Sequence, residues 1–405
     1  MKIKFLCGLL LMVVLYQQAT SQSNQNLINQ AYGFDNGDLN TITTAVSFLT
    51  IAPDARGGAM GDAGAGTTPD VYSMHYNPAK YAFIDKNVGF SVSYSPWLSQ
   101  LVNDISLGYL TGYKKLDDDQ VIAASLRYFS LGNIIFTDNV GTEIGQFSPN
   151  EFAVDAAYSR KFSDYISGAV ALRYIYSNLT GGIFVNGAQS KPGQSIATDV
   201  AFYYQKELEL KKTDAVLGVG ANISNIGAKI TYTENQDRSY IPINMRIGPS
   251  LSLNLDAYNK IMFTFDINKL LVPTPPIYAQ DSTGQPIKDD NGDYVIESGK
   301  DPNRSLVSGM FGSFADAPGG FDEELAEIMW SVGTEYWYDN QFALRGGFFY
   351  EHPLKGNRKY ITLGAGLRYN VFGLDFSYLI PLEQRNPLEN TLRFTLVFNF
   401  DKVAN

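Results

Sequence analysis

The sequence predicts an all-β protein: a 14-stranded antiparallel transmembrane outer-membrane β-barrel with an N-terminal plug, or hatch. Three observations predict it. Apolar and polar residues alternate with a period of two from residue 87 onward, the alternating segments are about 9–14 residues long, and the connections are alternately long and short. In the last segment the apolar face consists of Leu392, Phe394, Leu396, Phe398 and Phe400. Its polar face consists of Thr391, Arg393, Thr395 and Asn399.

The predicted strands form a barrel domain over residues 87–400. Their even number is what a bacterial barrel needs if both of its ends face the periplasm. Soluble β-sandwiches also alternate, but their strands cluster near about 5–6 residues, so the longer segments here favour a membrane barrel. The predicted strands are 87–95, 104–113, 120–131, 151–162, 165–178, 195–208, 214–226, 241–255, 259–270, 326–338, 341–350, 359–369, 371–381 and 390–400.

The connections give an independent indication, because every second one is shorter than both of its neighbours. Outer-membrane barrels have short periplasmic turns and longer extracellular loops. We therefore expect a cell outer-membrane protein with both barrel termini in the periplasm. The long connections are 96–103, 132–150, 179–194, 227–240, 271–325, 351–358 and 382–389, and 271–325 is the long extracellular loop. The short ones are 114–119, 163–164, 209–213, 256–258, 339–340 and Asn370.

The composition excludes several classes of protein. The 405 residues are 45% apolar and 13% aromatic, which argues against intrinsic disorder. After the N-terminus no apolar run approaches the roughly 20 residues that a membrane-spanning helix needs. The single Cys excludes a disulfide scaffold, and the net charge of -10 argues against nucleic acid as a partner.

The chain begins with features of an export signal. Lys2 and Lys4 precede a short apolar run, and Ala19-Thr20-Ser21 offers small residues to a signal peptidase. We predict a signal peptide over residues 1–21, whose removal takes Cys7 with it. Residues 401–405 form a C-terminal tail beyond the last strand.

Residues 22–86 do not alternate, and we predict that they form an N-terminal periplasmic segment and hatch. A Gly- and Ala-rich run over residues 53–66 permits tight turns and close backbone approach, as an enclosed plug requires. A flexible periplasmic tail is the alternative, but the apolar stretch from Val46 to Ile51 argues against it. The run lacks the G-x-x-x-x-G-K-[ST] pattern of a phosphate loop.

Charged residues on the polar faces of the strands could line an ion path. Because an unpaired buried charge is costly, we expect them to pair with one another and with Asp54, Arg56 and Asp62 of the hatch. They are Arg127, Arg173, Arg246, Arg345, Arg368, Arg393, Asp155, Asp199, Asp266, Glu335 and Asp375.

Groups suited to catalysis are few. The sequence has two His, His75 and His352, which the strand pattern places on opposite sides of the membrane. No G-x-S-x-G or H-E-x-x-H motif occurs, and the acidic run 289–293 departs from the EF-hand pattern at the positions of the required Gly and Glu. We therefore predict no enzyme activity, no catalytic residues, no cofactor and no metal ion.

Two resemblances rest on particular residues. Asn77-Pro78-Ala79 ahead of fourteen strands resembles the FadL-like fatty acid transporters, in which a hatch plugs the barrel. The segments 44–64 and 77–83 resemble the PorV (LptO) family, outer-membrane proteins of the type IX secretion system. The hatch motif that carries this second resemblance is Pro53, Asp54, Ala55, Arg56, Gly61, Asp62, Asn77, Pro78 and Ala79.

The PorV resemblance implies a secretion shuttle. Such a protein takes cargo from a SprA/Sov-like translocon, recognises the C-terminal domain of the cargo, and delivers it to a PorU-like sortase and attachment complex that joins it to lipopolysaccharide in the outer-membrane lipid. The alternatives are a FadL-like channel for hydrophobic small molecules and a lipopolysaccharide deacylase, which the scarcity of catalytic groups disfavours. The candidate partner-binding residues are the apolar loop positions Phe136, Ile183, Phe184, Val185, Phe311 and Phe314.

Overall fold

The computed structural model describes residues 40–98, 102, 104–137, 143–181, 184–185, 188–210, 213–233, 238–383 and 386–401. The side chains at 136, 137, 144, 184, 185 and 188 are not part of this description. The predicted signal peptide, Ile183 and the tail residues 402–405 lie outside the described residues, so their predictions stay predictions.

Fourteen antiparallel strands form a closed barrel, in which each strand pairs with the next along the chain and the last pairs with the first. This confirms the predicted strand number and order, and the strand ends differ from those predicted by no more than three residues. The strands are β1 (Val88–Pro96), β2 (Ile105–Lys115), β3 (Gln120–Leu131), β4 (Asn150–Lys161), β5 (Ile166–Asn178), β6 (Gly193–Leu210), β7 (Thr213–Gly227), β8 (Asn244–Asn254), β9 (Asn259–Leu270), β10 (Met329–Tyr338), β11 (Phe342–Tyr350), β12 (Lys359–Tyr369), β13 (Phe372–Pro381) and β14 (Leu392–Phe400).

The barrel wall has its apolar face outside. On β14, Phe394 and Leu396 are exposed, whereas Arg393 and Thr395, which alternate with them, are buried. Leu396 lies opposite Val92 of β1 and Leu374 of β13, which are also exposed, so the apolar band continues across strands. An apolar exterior around a polar interior is the arrangement of a transmembrane barrel. Among the described residues, no helix has the length and apolar character needed to cross a membrane.

The two ends of the barrel differ, as the alternating connections predict. At one end, here called the long-loop end, lie the connections 97–104, 132–149, 179–192, 228–243, 271–328, 351–358 and 382–391. At the other, the short-turn end, lie the turns 116–119, 162–165, 255–258, 339–341 and 370–371, together with the end of β6, the start of β7, the start of β1 and the end of β14.

Residues 45–84, here called the inner segment, run through the barrel from the long-loop end to the short-turn end. At its start, the Ala45 amide donates to the carbonyl oxygen of Tyr240, which lies in a long connection. At its end, the Ile84 carbonyl accepts from Lys115 Nζ near a short turn. The inner segment contains two short helices, α1 (Ala55–Gly58) and α2 (Ser73–Tyr76), and two 3-10 helices, Ser47–Thr50 and Pro78–Phe83.

The connection 271–328 carries further structure. A hairpin surrounds Asn291-Gly292, in which Lys288 bridges Tyr294 and the Asp289 amide donates to the Asp293 carbonyl. Two helices follow that the sequence pattern did not predict, α3 (Leu306–Gly312) and α4 (Phe321–Ala326). The remaining short elements of the long-loop end are Ile134–Thr137, Glu143–Phe147, Phe184–Val185, Ala188–Gln189, Ile277–Tyr278, Ile296–Ser298 and the 3-10 helix Pro353–Lys355.

Candidate functional site

The first block of the hatch motif is fixed to two strands. Asp54 begins α1 in an extended conformation, and its Oδ1 accepts the Gly57 amide at 2.9 Å, an N-cap. The Ala55 amide donates to Thr395 Oγ1 of β14 at 3.0 Å. Arg56 reaches a different part of the wall and donates to both carboxylate oxygens of Glu335 on β10, at 2.9 and 2.6 Å. Pro53 precedes this block and is buried with it.

A chain of inward-facing charges extends from this contact. Glu335 also accepts from Arg345 Nε at 2.6 Å, and Arg345 Nη1 donates to Asp375 at 2.8 Å. Asp375 accepts in addition from Arg368 Nη2 at 2.6 Å and from the Tyr72 hydroxyl at 2.8 Å. Each carboxylate is thus shared between cations, which is the pairing that buried charges require. The arrangement favours the structural interpretation of these residues over an ion path.

Three of the other inward arginines approach carboxylates, whereas Arg127 bonds to uncharged acceptors. Arg173 bridges Asp155 and Asp199, at 2.5 and 3.1 Å. Arg246 and Arg393 approach Asp266 and Asp62 less closely, at 3.6 and 3.8 Å. Arg127 instead donates to uncharged acceptors, namely the Leu49 carbonyl at 2.7 Å, the Phe48 carbonyl at 3.3 Å and His75 Nδ1 at 2.8 Å.

In the middle of the inner segment, the backbone of residues 61–65 packs directly against the barrel wall. The amides of Gly64 and Ala65 both donate to Asp266 Oδ2, at 2.7 and 2.9 Å, and the Gly61 amide donates to Thr362 Oγ1 at 2.9 Å. On the wall side, a Cβ at Gly220 would overlap the Ala65 carbonyl, and a Cβ at Gly347 would overlap the Gly61 amide nitrogen. Inward glycines therefore provide the space that the inner segment occupies.

The remaining motif residues, Asn77, Pro78, Ala79 and Asp62, are held by other contacts. The Asn77 amide group donates to the carbonyls of Ala65 and Phe202, at 3.1 and 2.9 Å, and its Oδ1 accepts the Ala79 amide at 3.0 Å. Pro78 then occupies the first turn of the 3-10 helix, where its missing N–H is not needed. Asp62 accepts from the Tyr360 hydroxyl through Oδ2 at 2.5 Å.

A cavity of about 450 Å³ lies at the long-loop end, above the buried part of the inner segment. Its charged lining mixes both signs. The cations are Arg173, Arg246, Lys355 and Arg358, and the anions are Asp62, Glu327 and Glu351. Further lining comes from polar residues of the inner segment and the chain just before it, including Thr41, Thr43, Thr44, Ser47 and Thr50.

His75 also lines this cavity. Its Nδ1 accepts from Arg127, and because a guanidinium can only donate, the imidazole is neutral with its proton on Nε2. That Nε2–H is buried and has no hydrogen-bond partner among the described residues. The cavity therefore offers charged and polar groups to a ligand, beside apolar lining from Ile42, Leu49, Leu270, Met329 and Phe349.

The second His, His352, lies in the connection 351–358 at the long-loop end. His75 lines the cavity at that same end, so the expected placement of the two on opposite sides of the membrane is wrong. Partial burial lowers the pKa of His352, and the nearby cations of Lys359 and Lys355 lower it further, so this imidazole is neutral at pH 7. Within the described part of the chain, no group of three or more His, Cys, Asp or Glu side chains is placed to hold a metal ion.

The candidate partner residues lie in connections that share the long-loop end. Phe311 lies in the last turn of α3 and Phe314 follows the helix, and both are exposed. Phe136, Phe184 and Val185 belong to short strands of two other long connections, but their side chains are not described. The structure thus brings these connections to one end and does not test which side chains bind a partner.

The sequence analysis missed a buried ionic cluster under α4. Lys269 of β9 donates to Glu324 at 3.0 Å and to Glu327 at 2.5 Å, and Lys355 donates to Glu323 at 2.5 Å and to Glu327 at 3.0 Å. One signal was present. Lys269 continues the outward face of Phe263, Phe265 and Ile267, where a lysine would meet lipid unless something covers it.

Comparisons with known proteins give one family and several distant structures. A family model described as "Type IX secretion system protein PorV" matches residues 34–277. No curated protein matches the chain. The toluene transporter TodX of Pseudomonas putida is 13% identical over 89% of this chain and 98% of its own, with a TM-score of 0.45. The toluene transporter TbuX of Ralstonia pickettii is 10% identical over 90% of this chain and 99% of its own, with a TM-score of 0.44. A FadL homologue of Pseudomonas aeruginosa is 12% identical over 89% of this chain and 99% of its own, with a TM-score of 0.39.

The family match starts before the inner segment and extends past β9, so it includes every residue of the hatch motif and nine of the fourteen strands. It covers more than half of the chain. The chain therefore belongs to the PorV family of type IX secretion system proteins, and it is an outer-membrane β-barrel of that family.

Proposed function

We propose that this protein is the outer-membrane shuttle of a type IX secretion system. In this proposal the long-loop end faces the cell exterior and both barrel termini face the periplasm. The long-loop end binds the C-terminal domain of a secreted cargo protein at a SprA/Sov-like translocon. The loaded barrel then diffuses in the outer membrane to a PorU-like sortase and attachment complex, which transfers the cargo to lipopolysaccharide.

The observation that carries the proposal is the contrast between the two halves of the lumen. Residues 52–84 fill the barrel and are buried almost throughout, with Arg56, Asn77 and Lys80 bonded to their surroundings. Above them an open, charged cavity remains at the long-loop end. A filled barrel with a polar recess at one mouth suits binding of a folded partner better than conduction.

The inner segment acts as the hatch in this proposal, with the role that the motif residues Pro53–Asp62 and Asn77–Ala79 suggest. It keeps the barrel closed to small solutes while cargo is held outside. Residues 40–50 reach the long-loop end, where the Asn40 side chain donates to the Pro275 carbonyl and to Glu323. The hatch therefore also contributes surface to the mouth that receives the cargo.

A FadL-like channel for hydrophobic small molecules is the alternative. It would need an apolar path within the lumen and an opening in the wall. The cavity has three arginines, one lysine and three carboxylates among its lining beside its apolar residues, so it is not a continuous apolar path, and the described strands pair around the whole circumference, including β1 with β14. Both features favour the shuttle. We also propose no catalytic role, because neither His lies in a group that could activate a nucleophile.

The test is a binding measurement with the cavity filled by a bulky side chain. Thr50 lines the cavity, is exposed, and makes one local hydrogen bond, to the Ser47 carbonyl, so Thr50→Trp alters the cavity without touching the buried network. Ser163→Trp is the matched control, an exposed position in a short turn at the other end of the barrel. The affinity of purified variants in nanodiscs is measured for an isolated cargo C-terminal domain.

We expect Thr50→Trp to weaken cargo binding at least about tenfold, or about 1.4 kcal/mol, and Ser163→Trp to leave it unchanged. A folded Thr50→Trp variant with unchanged affinity would remove the cavity from the proposal. If the unaltered protein binds no cargo domain and instead passes a labelled fatty acid across a liposome membrane, the channel is the correct function.

A further inference from the structure

The short helix α4 has its polarity inverted relative to a helix on a soluble surface. Glu323 and Glu324 point into the protein and are buried, whereas Phe321 and Leu325, one turn apart, are 75% and 49% exposed. A surface helix in water does the opposite, with its apolar side against the core. The exposed side of α4 is therefore suited to an apolar environment.

The buried side of α4 is held in place by charge. Lys269 Nζ lies between Glu324 and Glu327, and Lys355 Nζ lies between Glu323 and Glu327. Lys269 is on the outward register of β9, whereas Glu327 and Lys355 line the cavity, so this cluster spans the rim of the wall. The ion pairs fix the orientation in which the phenyl ring of Phe321 points away from the protein.

The helix before it, α3, lies along the same outer side. Leu306 and Met310 pack against the buried cluster of Tyr240, Ile243, Leu271 and Val272. The same cluster is contacted by Ile223, Ile226 and Met245, which occupy the outward register of β7 and β8. The opposite side of α3 exposes Val307 and Phe311. We call the exposed residues of this region the outer apolar patch, and they are Val307, Phe311, Phe314, Phe321 and Leu325.

The outer apolar patch is continuous with the lipid-facing wall. A groove of about 190 Å³ lies between the helices and the barrel, lined by Ile247, Ile267, Phe314, Phe321, Leu325 and Ile328. Ile247 and Ile267 lie opposite each other on β8 and β9 and are exposed on the outer face, while their neighbours Arg246 and Asp266 point inward and are buried. The groove therefore opens directly onto the surface that the hydrocarbon of the membrane covers.

We propose that the helical part of this connection, residues 306–328, is embedded in the membrane leaflet on the long-loop side, and that the groove holds the acyl chain of a lipid. This part of the connection thus lies in the membrane beside the barrel wall. Phe311 and Phe314, which the sequence suggests as partner contacts, belong to this lipid-facing surface. The proposal does not depend on the shuttle function, because it rests on the side of the barrel and not on its mouth.

Nitroxide accessibility tests the proposal in the full-length protein. Single Cys variants are labelled in a background in which Cys7, the single cysteine of the sequence, is replaced by Ser. Phe314→Cys and Phe321→Cys report on the patch, and Ile267→Cys on the floor of the groove. Val332→Cys on the outward face of β10 is the lipid control, and Tyr294→Cys in the exposed hairpin is the water control. The vesicles are palmitoyl-oleoyl phosphatidylcholine, and folding is checked by heat-modifiable gel mobility.

We expect oxygen, which concentrates in hydrocarbon, to relax the labels at 314, 321 and 267 as it relaxes the label at 332. A water-soluble nickel chelate should relax only the label at 294. The proposal is overturned if the chelate reaches positions 314 and 321 as it does position 294. A label at 267 that neither reagent reaches would show a closed groove and overturn the acyl-chain site.

Discussion

Arg56 of the inner segment and Glu335 of β10 form a buried ion pair with two hydrogen bonds, Nε to Oε2 at 2.9 Å and Nη2 to Oε1 at 2.6 Å. The third nitrogen of the same guanidinium donates to Asp70 at 2.5 Å. Only 7% of the Arg56 side chain and 2% of the Glu335 side chain are exposed. One residue thus links two parts of the inner segment to the barrel wall.

Replacement of Arg56 by Met should loosen the inner segment. It leaves Glu335 with Arg345 as its remaining cation and removes the cation that Asp70 faces. Breaking a buried pair costs about 3–5 kcal/mol, so we expect the free energy of unfolding to fall by about that amount. The measurement is the urea midpoint of the folded, heat-modifiable band in detergent micelles.

Lys86→Met provides the control for that variant. Lys86 pairs with Asp401 at 2.8 Å, but both side chains are largely exposed, and such pairs contribute about 0–1 kcal/mol. Its urea midpoint should stay near that of the unaltered protein. Equal midpoints for Arg56→Met and Lys86→Met would contradict the role assigned to the buried pair.

Adjacent glycines on β11 allow a second comparison. A Cβ at Gly347 would collide with the backbone of Met60 and Gly61, whereas a Cβ at Gly346 would have no neighbour nearer than 3.9 Å. Gly347→Ala should therefore displace the inner segment and make it sensitive to protease, with Gly346→Ala resistant. Equal resistance in the two variants would mean that the inner segment does not need this close backbone approach.

The barrel was predictable from the sequence because each strand repeats one simple rule, apolar out and polar in, over about ten residues. The path of the inner segment was not. Its glycines indicate close packing, but no local sequence pattern predicts that Gly61 contacts Gly347, which is almost three hundred residues away. Nor does the pattern reveal that residues 40–50 reach the long-loop end, since this depends on the tertiary contact of Ala45 with Tyr240.

The hatch motif likewise combines local features that the sequence predicts with long-range contacts that it does not. The Asp54 cap and the Pro78 turn are local, and the residue types at 53–57 and 77–79 indicate them. The pairing of Arg56 with Glu335 is not local, although the expectation that inward charges pair is general. The cluster of Lys269 with Glu324 and Glu327 escaped prediction because α4 is too short to give a clear helical period.

Lys269→Met should release α4 from the rim. The substitution leaves Glu323, Glu324 and Glu327 buried with Lys355 as the one cation of that cluster, so the helix is expected to detach and residues 299–328 to become open to protease. The control is Lys288→Met, a lysine of the exposed hairpin in the same connection. Cleavage at the same rate in both variants would contradict the anchoring role of Lys269.

Removal of the hairpin tests the contribution of the connection to cargo binding. Residues 279–296 are joined to the rest by the pairing of Ile277 with Ser298, and Ile287 and Tyr294 are exposed on it. Replacing 279–296 by a glycine–serine linker should leave the barrel heat-modifiable and weaken binding of a cargo C-terminal domain. Unchanged affinity in the folded variant would limit the cargo site to the cavity and the other long connections.

The most direct test of the shuttle proposal is to identify what the protein holds in its own membrane. A tagged chain is solubilised gently from native outer membranes, and the proteins that co-purify are identified by mass spectrometry. We predict recovery of a very large translocon barrel, a surface sortase, or cargo proteins that still carry their C-terminal domains. Recovery of this barrel alone, with a bound fatty acid or other hydrophobic small molecule, would contradict the shuttle and favour the channel.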